Sequence, residues 1–163
     1  MAGNAASRPR ESGGHVKPSQ KELNEFLLDL VELLGKHFPG CFGKAKVIGG
    51  NEGLALILKR AESGSELEIS TERARASFRI GDVTLDLGQH EDRQAMFSEV
   101  MAGLLALFQD RLFTLSGYAG ETLLAGCAYQ DRSAADALAE FRSRYGRADR
   151  VMLKTWSAPA LEL

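Results

Sequence analysis

Arg73-Ala74-Arg75-Ala76-Ser77-Phe78-Arg79-Ile80-Gly81-Asp82-Val83-Thr84-Leu85-Asp86-Leu87 is the stretch that decides the fold. Ala74, Ala76, Phe78 and Ile80 alternate with Arg73, Arg75, Ser77 and Arg79; Val83, Leu85 and Leu87 alternate with Asp82, Thr84 and Asp86. Successive strand side chains point to opposite sides, so period-two alternation marks strands with one buried and one wet face. Gly81-Asp82 between the runs is a two-residue turn in which glycine takes positive φ without steric cost. Such a turn sets Ile80 against Val83, Phe78 against Leu85 and Ala76 against Leu87. All three pairs fall on one face, so turn and hydrophobic pattern predict the same register. The result is a half-solvated antiparallel sheet with no reactive group on its dry face.

Upstream, Ser19 and Glu22 form a capping box that opens a helix carrying Leu23, Phe26, Leu27, Leu30, Val31 and Leu34 at helical spacing. Pro39-Gly40 ends it. Lys44 to Ile48 and Gly53 to Arg60 read as strands around Gly49-Gly50-Asn51. Leu54 to Leu58 is apolar throughout, which predicts a strand covered on both faces. A turn at residues 62–65 leads into the strand holding Glu66 and Glu68. This pairing puts Glu68 opposite Arg75, and Asp86 diagonal to Arg75 and Arg79, a structural use for these carboxylates.

Downstream, a second helix starts at Glu91 or Asp92 and runs to about Asp110. Phe97, Met101, Leu104 and Phe108 make it the helix expected to be most buried, against the sheet or in a homodimer with a second copy. Gly103 inside it predicts the close approach of another backbone. Leu112 to Tyr118 and Thr122 to Tyr129 form a second hairpin. A third helix runs from a Ser133 cap to Tyr145, with Gly146 as a left-handed cap. Val151 to Trp156 forms a last strand. The order is α-β(4-5)-α-β-β-α-β, an α+β fold with a mainly antiparallel sheet of about six to eight strands and three helices. Residues 19–163 are expected to form a single domain behind a disordered leader, residues 1–18.

The 163 residues carry a net charge of -2, which gives the whole molecule no pull toward nucleic acid or anionic membrane. Its longest apolar run, Ala102 to Phe108, is too short to span a bilayer. Residues 1–18 lack the apolar stretch of a secretory signal. Cys41 and Cys127 read as two unpaired thiols, Cys127 buried, and place the protein in a reducing compartment, the cytoplasm.

Candidate chemistry is sparse. His37 and Cys41 are four apart, but Pro39-Gly40 interrupts the helix that would juxtapose them. His90 precedes Glu91 and Asp92, whose carboxylates suit a helix start; no metal-ligand spacing accompanies them. Glycines 49, 50 and 53 lack the ending of a phosphate loop, and Gly117-Tyr118-Ala119-Gly120 links strands where a nucleic-acid clamp would link helices. No cofactor or metal site is expected. Two charge features remain. Glu22, Glu25, Asp29 and Glu32 line the first helix. Arg142, Arg144, Arg147 and Arg150 cluster near Tyr145 and Trp156. Each reads as a solvated face, or as the docking surface for a basic protein and for an acidic partner or nucleic-acid backbone respectively.

The expected function is therefore non-catalytic: an interaction protein of bacterial type that masks or escorts another protein, as an immunity protein masks a toxin. In element order the chain also resembles the type III secretion chaperones, with helix, strands, helix, hairpin and helix. That resemblance implies an effector as partner; the chain departs from it in its extra strands and at Val151 to Trp156. Two other classes are an enzyme using His37 with Cys41, or His90, and a nucleic-acid-binding module using Arg142 to Arg150, the latter disfavoured by Glu140 and Asp149.

Overall fold

The structure is a computed structural model that describes residues 19–50, 53–72, 75–87 and 93–163. The described residues form three helices, α1 (Gln20–His37), α2 (Arg93–Phe108) and α3 (Ala134–Arg144), and nine strands. The strands are β1 (Lys44–Gly50), β2 (Gly53–Lys59), β3 (Glu66–Glu72), β4 (Arg75–Ile80), β5 (Val83–Asp86), β6 (Leu112–Ala119), β7 (Thr122–Gln130), β8 (Arg150–Lys154) and β9 (Leu161–Glu162). The fold is α+β and wholly antiparallel, but the strands divide into two sheets, β1-β2-β3-β4-β5 and β7-β6-β8-β9. The leader falls outside the described residues, as do His90, Glu91 and Asp92.

The decisive hairpin has the register its sequence predicts. Phe78 stands opposite Leu85 and Ile80 opposite Val83, and the Leu87 amide donates to the Ala76 carbonyl at 3.1 Å. Ala76, Phe78, Ile80 and Val83 are buried while Arg75 and Arg79 are exposed. One pairing differs. Glu68 stands opposite Arg79, with which it forms an ion pair, and Glu72 stands opposite Arg75. The register of β3 against β4 is therefore shifted from the one the alternation suggests, and residues 73–74 between the two strands lie outside the described ones. Asp86 keeps its diagonal partner Arg75 at 3.6 Å.

α1 begins with both halves of its capping box: the Ser19 hydroxyl accepts from the Glu22 amide, and the Glu22 carboxylate accepts from the Ser19 amide at 2.8 Å. Its stripe of Leu23, Phe26, Leu27, Leu30 and Leu34 packs with Leu56, Leu58, Leu67, Ile69 and Phe78 of the sheet. α2 covers the same face. No helix of the described residues covers the opposite face, which is why Ala55 and Ile57 of β2 are only half-buried and not covered as predicted.

α2 buries Met96, Val100, Leu104, Ala106 and Leu107. Met101 and Phe108 are half-buried, and Phe97 remains 36% exposed with its ring edge-on to Phe26. Gly103 does sit at a close approach, but to a ring: a Cβ there would lie 2.7 Å from the Phe78 side chain.

In the second sheet, Phe113, Leu115 and Val151 face Ala137 and Phe141 of α3. β6 is buried on both sides for most of its length. α3 ends at Tyr145 with φ -127°, and Gly146 is not left-handed, so the expected glycine cap is absent. The last predicted strand stops at Lys154. Trp156 then turns into the first core, 1% exposed, with its indole N–H donating to the Cys41 carbonyl at 2.6 Å.

Candidate protein-binding surface

β1 pairs with β2 on one side and ends the first sheet on the other. All seven of its residues are exposed. Val47 lies opposite Leu56 on the helix-bearing face, yet α1 packs over β2 and β3 and leaves Val47 37% exposed. Ile48, opposite Ala55 on the other face, is 40% exposed. Lys44 and Lys46 share that face with Ile48, opposite Lys59 and Ile57. Lys59 is paired with Glu66 across the β2–β3 ladder, whereas no ion pair among the described residues holds Lys44 or Lys46. At the open end of this hairpin, Gly43, Lys44, Lys59, Arg60, Ala61 and Gly64 line a hollow of about 310 Å³. The Arg60 Nε lies 3.6 Å from the Glu62 carboxylate, an ion pair beyond hydrogen-bond length, and finds no hydrogen-bond partner among the described residues. An edge strand directs alternate N–H and C=O groups away from its sheet, so β1 offers backbone pairing, apolar contacts on both faces and unpaired positive charge. The sequence showed this strand but not its place at the edge.

The acidic side chains of α1 are exposed as predicted, but the face is mixed in sign. Glu22 serves the capping box, and Glu25 lies 3.8 Å from Lys21. Asp29 and Glu32 border a hollow of about 240 Å³ together with Leu33, Lys36 and His37. Leu28 is 53% exposed. At 100° per residue it lies about 160° around the helix from Phe26, on the flank away from α2.

The arginines do not form one patch. Val151 faces α3, so its neighbour Arg150 points to the opposite side of the sheet, where its guanidinium lies 4.8 Å over the Tyr118 ring. Arg144 is held by Glu140 at 2.9 Å, and Glu140 also takes Arg132. Arg142 and Arg147 are exposed, and the Asp149 carboxylate accepts from the Gly120 amide at 2.9 Å. Trp156, expected beside these arginines as a contact residue, is core: its ring packs on Phe108 at 5.4 Å and its N–H is already satisfied.

The proposed catalytic pair is not assembled. His37 is exposed, Cys41 is half-buried, and no hydrogen bond joins them. Both cysteines are free, and Cys127 is half-buried, not buried, with its thiol 3.9 Å from the Tyr145 hydroxyl. Among the described residues no three His, Cys, Asp or Glu side chains group to hold a metal.

A polar seam between the sheets was not legible in the sequence, because its members come from three distant turns and strands. It includes a cleft of about 290 Å³ lined by Ser63, Ser65, Gly81, Lys154 and Thr155. Its hydroxyls are committed: Ser63 donates to the Trp156 carbonyl at 2.7 Å and Ser65 to the Thr155 carbonyl at 2.9 Å. Beside it Tyr118 donates to Asp82, which also faces Lys154 at 3.6 Å. The hydrogen bond to Asp82 and then burial push the Tyr118 hydroxyl above its ordinary value, which suits a clasp and not a base. No helix of the described residues is long and apolar enough to cross a membrane. Comparison of the chain with family models, with curated proteins and with solved structures finds no match.

Proposed function

We propose that this protein acts by binding another polypeptide, which it masks or escorts, and that it carries out no chemistry of its own. Masking of a toxin, as an immunity protein does, is the specific form. The observation that carries the reading is the edge of β1, which no other strand of the described residues pairs, exposed along its whole length and flanked by Val47 on one face and Ile48 on the other. An extended segment of a partner can add to such an edge, with main-chain hydrogen bonds supplying affinity and alternate side chains supplying selectivity.

A photo-cross-linking residue in place of Ile48 should give a discrete adduct in cells of the native host. The same residue in place of Ala135, exposed on α3, should not. Glu25→Lys with Asp29→Lys should leave the β1 adduct intact, because contact is through the strand edge. Equal, diffuse labelling from both positions would remove the binding reading. Loss of the β1 adduct in the folded α1 variant would move the docking face to α1.

A further inference from the structure

We infer that the strand accepted by β1 is acidic: an extended segment of a partner protein with Asp or Glu at alternate positions and apolar residues between them. This rests on the binding reading above and specifies its partner. β1 carries Lys44 and Lys46 on one face and no carboxylate on either. A strand laid beside β1 places its own alternate side chains next to Lys44, Lys46 and Ile48, and the intervening ones next to Ala45 and Val47 on the helix-bearing side. Carboxylates therefore fit the first set and small apolar groups the second. The hollow at the open end of the hairpin adds no further free cation, since Lys59 is paired with Glu66 and Arg60 approaches Glu62, so Lys44 and Lys46 carry the charge of the edge.

The same lysines decide against a second copy of this chain. Antiparallel pairing of two β1 strands would bring Lys44 and Lys46 of both copies onto one sheet face with no acidic residue of β1 among them, and like charges across strands are destabilising. Lysine is a common guard of sheet edges against self-association. Here the guard leaves the edge open to a strand of opposite charge, and complementary charge both speeds encounter and rejects wrong partners.

Two capped seven-residue peptides provide the test, one alternating glutamate with valine and one alternating lysine with valine. Each is titrated to millimolar concentration into the ¹⁵N-labelled full chain. The acidic peptide should shift the amides of residues 44–50 and slow their hydrogen exchange. It should bind about tenfold more tightly than the basic one, the ratio that two ordinary cross-strand charge pairs give. Lys44→Glu with Lys46→Glu should reverse the preference; both side chains are exposed, so the variant folds. Equal affinity for the two peptides, no shift at millimolar peptide, or shifts centred on residues 142–150 would overturn the inference. So would a dimer in sedimentation that Val47→Pro dissolves, since a second copy would then be the occupant. An Ile48 adduct in cells without acidic preference keeps the binding reading and removes this one; loss of both removes both.

Discussion

Gly103 shows how far one residue can be read without its neighbours. A glycine inside an apolar helix costs about 1 kcal/mol relative to alanine, so its presence calls for a close contact. The contact exists, but it is the Phe78 ring of β4, and nothing in the helix names that ring. Gly103→Ala gains the helix propensity and forces a methyl to within 2.7 Å of Phe78. Overpacking of a filled core costs about 1–3 kcal/mol, so the net change should be a loss of stability, read as a lower urea midpoint. In a Phe78→Leu background the same substitution should be neutral or stabilising, and the double-mutant cycle measures the contact directly. A full penalty that persists without the ring would place its cause elsewhere. Trp156 was harder to read than Gly103. A single aromatic beyond the end of a strand has no periodicity to mark its side, and the nearby arginines suggested a surface.

Elements were legible where local chemistry determined them. The capping box of α1 and the Gly81-Asp82 turn each combine a local signal with a matching hydrophobic pattern, and both appear as read. What failed was relational: which strand ends a sheet, which face lacks a helix, and where two sheets meet. Joining the sheets is the role of the β4–β5 turn, whose Asp82 accepts from Tyr118 and faces Lys154, while Val83 packs at the position where Gly126 lacks a side chain. This clasp has a pH signature. The hydrogen bond to Asp82 and burial hold the Tyr118 hydroxyl above the ordinary tyrosine value of about 10 in the folded protein. A group whose pKa is raised on folding stabilises fully below its unfolded pKa, and that contribution is lost as pH rises through the folded one. Stability should therefore fall as pH climbs above about 10. Tyr118→Phe should be less stable at neutral pH and should show a shallower alkaline fall, measured as urea midpoints between about pH 8 and 11. Equal alkaline slopes in the two proteins would exclude Tyr118 as their source.

At the scale of the molecule, two apolar clusters belong to two sheets, and the question is what makes them one unit. α1 and α2 cover the first sheet and α3 covers the second, yet Leu112 of β6 and Trp156 beyond β8 both insert into the first cluster. Asp110 fixes the second of these insertions. It follows α2 with φ 54°, a left-handed conformation that Asp and Asn tolerate better than other side chains, and its Oδ1 accepts from the amides of Trp156 and Ser157 at 2.9 Å each. One carboxylate thus ties the end of α2 to the chain that carries the indole. Asp110→Ala removes the oxygen that accepts from both amides and adds strain at positive φ, whereas Asp110→Asn keeps one oxygen and tolerates the backbone. Stability should fall in the order wild type, Asn, Ala. Hydrogen bonds to charged groups contribute about 1.5–3 kcal/mol, a large share of the roughly 5–15 kcal/mol that holds a domain together. The only tryptophan of the chain reports the first cluster, and far-ultraviolet circular dichroism reports both sheets. In the wild type the two probes should trace one coincident urea transition, as a single cooperative unit requires. In Asp110→Ala the indole should become solvated before the bulk of the sheet signal is lost, and the two curves should separate. Coincident curves in that variant would mean that Leu112 and the seam hydrogen bonds suffice to couple the sheets without the anchor.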